Sequence, residues 1–244
     1  MNKYYYDFHV HSCLSPCGDD DNTPNNIAGM ASLCGLNIVA LTDHNSCKNC
    51  PAFYKAAKKY GIIPIAGMEL TTSEDIHVIC LFENLDDALS FDSYVEKNRV
   101  LINNRPQIFG EQTILDENDE YVASIEYLLT NATLISIEDV TEVVREFGGV
   151  CFPAHIDREA NGIISILGTI PPNSDFVFYE LHSKDSLDKY SEKYNIEKHN
   201  FVISSDAHYL QDLRDKESYF ELNDEPYSSD LVRKELFRIL RGCK

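Results

Sequence analysis

The chain has 244 residues, of which 43% are hydrophobic and 25% charged, a composition typical of a folded globular protein. It has no apolar run of the ~20 residues that cross a bilayer and no apolar secretory signal at its start, so we expect a cytoplasmic protein without a membrane partner. A formal net charge of −19 argues against long nucleic acid as a partner, because binding along a phosphate backbone needs a basic stripe.

Seven short runs of apolar, β-forming residues recur along the chain, and each carries residues able to bind a metal at one of its ends. The first run ends in His-Val-His, the second in Thr-Asp-His and the last in Asp-Ala-His. The seven predicted strands cover residues 4–10, 37–41, 62–68, 76–82, 149–154, 176–181 and 201–205.

Helices are predicted between several of these strands. Residues 23–34 open with Thr-Pro, a typical helix start, residues 51–60 are closed by Gly61, and residues 136–147 stop at Gly148. Alternating strands and helices indicate parallel βαβ units. Because most of the polar strand ends are carboxyl ends, we predict a closed α/β barrel, the fold that gathers active-site residues on that face.

Residues 105–125 break this alternation and predict a β-hairpin with a turn at 116–119. We expect the hairpin to be an excursion between the fourth and fifth barrel strands. Since no linker is long enough to separate domains, we predict one domain over residues 1–244, with about residues 91–147 as an inserted helix, hairpin and helix.

Histidines mark the predicted strand ends. His9 and His11 lie at positions i and i+2 of a strand, so both rings point to one face and can reach one ion. Imidazole is the commonest metal ligand in proteins. Only His199, in a polar connector, lies away from a strand end. The remaining five histidines are His44, His77, His155, His182 and His208.

Two carboxylates complete the predicted metal cluster. Glu69 follows the third strand and can bridge two ions, which holds such a pair about 3.5–4 Å apart. Asp206 offers an oxygen ligand, and His208, two residues on, points to the same face. Cys47 and Cys50 have the spacing of a zinc or redox pair, but no second pair accompanies them, so buried thiols without such a role are the alternative.

These motifs, in this order, resemble those of the PHP family, the polymerase and histidinol phosphatase superfamily. The matching segments read DFHVHS, ALTDHNS, AGMELTT, HVICLF, FPAHIDR and SSDAHYL, and run from residue 7 to residue 208. The resemblance implies a distorted (β/α)7 barrel that hydrolyses a phosphate ester with two or three divalent ions, which would be zinc, manganese or iron.

The resemblance also implies a ligand set for each ion. The first ion would be held by His9, His11, Glu69 and Asp206, the second by Glu69, His77 and His155, and a third by Cys17, His44 and His208. Members with three ions commonly have a histidine at the position of Cys17. A thiolate can replace it as a ligand, and the alternative interpretation is a loop thiol that binds no metal. Asp43 is predicted to orient a ligand histidine.

We expect a hydroxide that bridges the ions to attack phosphorus, with Glu69 and Asp206 central to catalysis. Arg158, three residues after His155, is predicted to grip the phosphate, because guanidinium binds phosphate oxygens bidentately. Its alternative is a surface arginine paired with a carboxylate. His182 is predicted to contact the substrate or to protonate the leaving group, and a hydrogen-bonded rim histidine is the alternative.

The chain is thus predicted to be a phosphoesterase whose partner is a small phosphorylated substrate, either a small molecule or a nucleotide. A nuclease or phosphodiesterase of short oligonucleotides is one alternative, and a non-catalytic metal-binding interaction module is another. A tyrosine phosphatase is disfavoured, because HSCLSPCGDD lacks the H-x-H-I-L-P pattern of that branch. Metal identity and oligomeric state cannot be read from the sequence.

Overall fold

The structure, a computed structural model, describes residues 1–172 and 174–243. Within those residues the chain forms ten β-strands and eight α-helices. In chain order they are β1 (Asn2–Val10), α1 (Pro24–Leu33), β2 (Ile38–Leu41), α2 (Cys50–Lys59), β3 (Ile63–Thr71), β4 (His77–Phe82), α3 (Leu85–Lys97), α4 (Pro106–Phe109), β5 (Thr113–Leu115), β6 (Tyr121–Ser124), α5 (Val140–Glu146), β7 (Val150–Pro153), α6 (Ile163–Leu167), β8 (Tyr179–Leu181), α7 (Leu187–Tyr194), β9 (Phe201–Ile203), β10 (Tyr219–Leu222) and α8 (Ser229–Leu240).

Six strands form one curled sheet in the order β10-β1-β2-β3-β4-β7, and β8 pairs with β9. Backbone contacts connect this pair to both sides of the sheet. The amide of Ile156, after β7, donates to the carbonyl of Glu180 in β8, and Val10 at the end of β1 forms a parallel bridge with Ala207 after β9. The result is a barrel-like α/β fold, as expected from the sequence.

The expectation of parallel βαβ units throughout is wrong for β4. Strands β1, β2 and β3 are parallel, but β4 runs antiparallel to both β3 and β7. Only residues 72–76 connect β3 to β4, which is too short for the helical crossover that a parallel neighbour requires. Because the chain turns back here, the start of β4 lies beside the end of β3.

The predicted helices are present, with one shifted start. Thr23 caps α1 by accepting a hydrogen bond from the Asn26 amide, and proline occupies the first helical position, as predicted. Helix α5 begins at Val140 instead of residue 136. Ser136 and Asp139 bond to each other through their side chains, and this local turn takes the place of the first helical turn.

The segment between β4 and β7 lies over loops that follow the first two strands. Strands β5 and β6 pair antiparallel, and the Thr113 amide donates to the Cys13 carbonyl. The Asn49 side chain donates to the Thr113 carbonyl. The limits of a separate inserted unit stay a prediction. None of the helices in the described part of the chain is long and apolar enough to cross a bilayer.

Candidate metal centre

Side chains from six segments meet at one end of the curled sheet. All are buried except two half-buried histidines at positions 77 and 208. The set comprises His9 from β1, His11 directly after β1, His44 after β2, Glu69 from β3, His77 from β4, His155 after β7, and Asp206 and His208 after β9.

Strand β1 is irregular where it carries the first histidine of the cluster. The pairing of β1 with β2 changes register between Asp7 and Val10. Within this stretch Phe8 packs in the apolar cluster that the barrel strands share with α8, whereas Val10 packs in the cluster beneath α1 and α2. A bulge of this kind re-aims the side chains that follow it. His9 and His11 lie on the same side as Glu69, with their Nε2 atoms 3.2 and 3.3 Å from its oxygens.

The first group of candidate ligands is formed by His9, His11, Glu69 and Asp206. The Nε2 atoms of His9 and His11 are 3.1 Å apart, and each lies 3.2–3.3 Å from an oxygen of Glu69 and from Oδ1 of Asp206. Zinc–ligand bonds of about 2.0–2.1 Å in tetrahedral geometry place neighbouring ligand atoms roughly 3.3 Å apart. The four residues are therefore spaced as ligands of one ion.

Hydrogen bonds fix which ring nitrogen of these histidines faces the centre. Nδ1 of His9 lies 2.9 Å from Oε2 of Glu180, a carboxylate that accepts a hydrogen bond from the Nδ1–H group. Nδ1 of His11 lies 2.9 Å from Oγ of Ser15, whose own hydroxyl donates to Asp43. Each Nδ1 is thus the donor, and each Nε2 offers its lone pair to the centre. Asp43 orients His11 through Ser15.

Both oxygens of Glu69 face histidines from different segments. Oε1 lies 2.8 Å from Nδ1 of His77 and 3.3 Å from Nε2 of His155. Oε2 lies 3.0 Å from Nδ1 of His44 and 3.3 Å from Nε2 of His11. Glu69 occupies the middle of the cluster, the position that a bridging carboxylate requires.

A further group brings together His11, His44 and His208, whose nitrogens lie within 4.8 Å of one another. The rings of His11 and His208 stack with centroids 4.2 Å apart. Cys17 is exposed and is not part of this group. The structure thus gathers two of the three residues expected at a third ion, with His11 instead of the thiol.

The pKa of Glu69 and those of two histidines are all lowered, which leaves the carboxylate charged and the two rings neutral. Burial would raise the pKa of Glu69, but His77, His9 and His44 hold it well below its usual value, so this carboxylate is ionised. Burial lowers the pKa of His44 to about 3 and that of His208 to about 4, so both rings are neutral at pH 7 and their lone pairs are free for a ligand role.

His9 and His11 respond differently, because carboxylates surround them. Burial would lower the pKa of His9, yet Glu180, Asp206 and Glu69 raise it well above the usual value. In the same way Asp206 and Glu69 raise the pKa of His11 to about 9 against the effect of burial. The same carboxylates would attract a divalent cation in place of these protons.

Within the part of the chain that the structure describes, several buried polar atoms of the cluster have no hydrogen-bond partner. They are Oε2 of Glu69, Oδ1 of Asp206, Nδ1 of His44 and Nδ1 of His155. A buried anionic oxygen without a donor is costly unless a cation meets it. The donor set of imidazoles and carboxylates suits zinc, iron or manganese. The residues present therefore fit bound divalent ions.

Arg158 lies beside Asp206 at the rim of the cluster, and His182 and Arg214 follow behind it. Arg158 pairs with Asp206, and its Nη2 lies 3.0 Å from Nδ1 of His182. The side chain of Asp157 accepts a hydrogen bond from the main-chain amide of His182. Burial, together with Arg158 and Arg214, lowers the pKa of His182. His182 is therefore a neutral ring in contact with Arg158.

Glu180 and Arg214 were not anticipated from the sequence. A signal existed for Glu180, a charged residue between Tyr179 and Leu181 in an otherwise apolar strand, because a buried charge needs a partner. No local pattern marks Arg214. Its role depends on the approach of two loops that are distant in sequence.

A family model of the PHP domain matches residues 7–225 of the chain. The chain belongs to the PHP domain family. This confirms the resemblance drawn from the six motifs. The match also covers the segment between β4 and β7, where none of those motifs lies.

Two curated relatives of the PHP chain differ greatly in length. The PolC-type DNA polymerase III of Streptococcus sanguinis is 25% identical over 281 aligned positions, which cover 96% of the chain and 19% of the polymerase. An uncharacterized protein of Methanocaldococcus jannaschii is 31% identical over 100 residues, covering 37% of the chain and 58% of that protein. The PHP chain thus spans about a fifth of the polymerase.

Solved structures share the fold. Endonuclease Q of Pyrococcus furiosus, a lesion-specific endonuclease, matches with a TM-score of 0.71 at 18% identity, over 100% of the PHP chain and 57% of the endonuclease. Endonuclease Q in complex with a 27-mer duplex that carries an abasic lesion matches at 0.70 and 19% identity, with the same coverage. A Bifidobacterium adolescentis protein described as a metal-dependent phosphoesterase matches at 0.54 and 16% identity, over 96% of both chains.

The activities named for these neighbours belong to the enzyme class predicted from the sequence, hydrolases of phosphoric ester bonds. The predicted partner needs correction. The sequence led us to expect a small phosphorylated substrate and disfavoured long nucleic acid. That expectation is overturned by the likeness of the whole chain to an endonuclease bound to a DNA duplex. The prediction failed because net charge sums over the whole surface and does not say where individual charges lie.

Proposed function

We propose that this PHP protein is a metal-dependent nuclease that hydrolyses phosphodiester bonds in nucleic acid. One observation carries the proposal: both oxygens of buried Glu69 face imidazoles from different strands and loops, as a carboxylate shared by two ions would. The likeness of the whole chain to an endonuclease supports nucleic acid as the substrate class.

Each candidate ion has its own ligand set in this proposal. The first would be held by His9, His11, Glu69 and Asp206, the second by Glu69, His77 and His155, and a third by His44 and His208 with His11 or Cys17. Bound zinc, manganese or iron would lower the pKa of water toward 7 and neutralise charge that develops on the phosphate.

Residues at the rim would hold the substrate. The guanidinium of Arg158 is joined to Asp206, so it lies where a phosphate at the ions would place its free oxygens. Because the pKa of His182 is lowered, its ring is neutral at pH 7. A neutral ring suits contact with the substrate and the support of Arg158 better than protonation of a leaving group.

The barrel that carries this site is proposed to have seven strands, β1 to β4 and β7 to β9, with residues 91–147 inserted into a single domain. The backbone contacts of Ile156 with Glu180, and of Val10 with Ala207, support closure of this ring. Strand β10, antiparallel to β1, would then be an addition at its edge.

The test uses the full chain, stripped of metal and reloaded with manganese or zinc. End-labelled single-stranded and duplex DNA, with and without an abasic site, would be incubated with loaded protein, with chelated protein and with Glu69→Gln. We expect cleavage by the loaded wild-type protein alone. If folded protein with measured bound metal cleaves no DNA or RNA, the nuclease proposal is wrong, and a metal-binding module without turnover becomes the better account.

A further inference from the structure

Two guanidinium groups meet at one imidazole beside the metal centre. Nη2 of Arg214 lies 3.2 Å from Nδ1 and 3.1 Å from Nε2 of His182, and its Nη1 donates to the His182 carbonyl at 2.6 Å. Nη2 of Arg158 lies 3.0 and 3.2 Å from the same two ring nitrogens. The two arginines are therefore direct neighbours across His182.

Of the two arginines, only Arg158 is in direct contact with a carboxylate of the described residues. Arg158 has Asp206 as its partner. The two oxygens of Asp157 accept hydrogen bonds from the main-chain amides of His182 and Ser183. Among the described residues no carboxylate pairs with Arg214, and the ring between the arginines is neutral. Arg214 thus keeps a half-exposed positive charge in a protein of net charge −19.

The two arginines differ in what they reach. Arg158 contacts Asp206, a residue of the metal cluster, and so faces a phosphate held at the ions. Arg214 contacts only His182 among the site residues, one ring farther from the cluster. A guanidinium has five N–H donors, and among the described residues the side chain of Arg214 directs hydrogen bonds only to His182.

We propose that Arg214 binds the phosphate next to the scissile one along a nucleic acid strand. This inference rests on the proposed nuclease function and deepens it, because it makes the enzyme one that prefers a substrate with at least two phosphates in sequence. Guanidinium suits the role, since it binds phosphate oxygens bidentately and keeps its charge.

The test compares Arg214→Ala and Arg214→Lys with wild-type protein on two substrates. Bis(4-nitrophenyl) phosphate is a diester without a neighbouring phosphate, and a single-stranded oligonucleotide with a mapped cleavage position has one on each side. We expect Arg214→Ala to lower kcat/KM on the oligonucleotide at least ~10-fold more than on the dye diester, a difference of about 1.4 kcal/mol. Arg214→Lys should recover part of this loss.

A second arm locates the contact. An uncharged methylphosphonate replaces the neighbouring phosphate on one side or the other. On the side that Arg214 serves, this change should slow the wild-type protein about as much as Arg214→Ala does, and should slow the variant no further. Arg145→Ala, an exposed arginine near the start of β7, is the matched control and should respond as wild type.

The outcomes separate this inference from the function beneath it. Equal losses on both substrates would mean that Arg214 serves the scissile phosphate or merely supports His182, and would overturn the inference. Unchanged cleavage of the oligonucleotide by Arg214→Ala would overturn it as well, with the nuclease function intact. Hydrolysis of the dye diester without cleavage of any oligonucleotide by wild-type protein would instead refute the nuclease proposal itself.

Discussion

Oε2 of Glu180 accepts hydrogen bonds from Nδ1 of His9 and from the main-chain amide of His155, each at 2.9 Å. One buried carboxylate therefore sets the ring of a candidate ligand to the first ion and the backbone that carries a candidate ligand to the second. Carboxylates that orient ligand histidines in this way influence metal affinity strongly.

We expect Glu180→Gln to weaken metal binding about 10- to 100-fold, because the amide is a weaker acceptor for the His9 ring and leaves the ligand less basic. Competition with a fluorescent chelator would measure the affinity. Glu221→Gln, on the exposed edge strand β10, is the matched control. Unchanged affinity in a folded Glu180→Gln protein would show that the ring needs no carboxylate to hold it.

Glu69→Ala should reduce the rate of phosphodiester hydrolysis at least ~100-fold, about 3 kcal/mol of transition-state stabilisation, because it removes the carboxylate shared by the candidate ions. The measurement is kcat/KM on the mapped oligonucleotide, with bound metal counted in the same preparation. Glu221→Ala provides the control. Near-normal turnover in folded Glu69→Ala would exclude a shared carboxylate as the centre of the mechanism.

Arg158→Ala should lower kcat/KM about 10- to 100-fold on both the oligonucleotide and the dye diester, because Arg158 lies beside Asp206 and would hold the scissile phosphate. Steady-state kinetics on both substrates would separate this residue from Arg214. Metal content should stay normal. A variant with unaltered KM and kcat would rule out the clamp role of Arg158.

Chelation should lower the thermal stability of the protein. Glu69 and Asp206 have buried oxygens without hydrogen bonds, and a cation bound at 100 times its Kd contributes about 2.7 kcal/mol to folding. For a chain of this size the melting temperature should fall by roughly 5–10 °C. Calorimetry with and without chelator measures the shift. Glu69→Ala should show a smaller shift, and equal shifts in the two proteins would place the stabilising ion elsewhere.

Cys17→Ala should leave the number of bound ions unchanged, whereas His208→Ala should reduce it where three are bound. The reason is that His208 lies with His11 and His44, while Cys17 is exposed and outside that group. Elemental analysis of both variants would decide. Loss of one ion in Cys17→Ala would restore the thiol as a ligand.

The sequence predicts the cluster well where the signal is local. His9 lies at the end of β1 and His11 directly follows the strand, and their spacing of two residues predicts that both rings reach one site. The cap of α1 is similarly local, since Thr23 and Asn26 belong to one turn. The register change between Asp7 and Val10 was not visible in the pattern.

Other features depend on contacts between distant segments. The direction of β4 follows from the short connection at 72–76, a length constraint that the strand pattern does not contain. The position of Arg214 follows from the approach of its loop to His182, 32 residues earlier. The expected partner was wrong because one net charge says nothing about where the charges lie.

Because the chain reverses at β4, one pair of site residues is close in sequence, whereas another pair comes together only through distant segments. Glu69 and His77 belong to one hairpin and lie eight residues apart, so a local turn suffices to bring them together. His9 and Asp206 meet only when β9 reaches β1, almost two hundred residues later in the chain. An ion at His9, His11, Glu69 and Asp206 would therefore bind tightly only to a chain whose two ends have come together. Its occupancy would report that the barrel has closed.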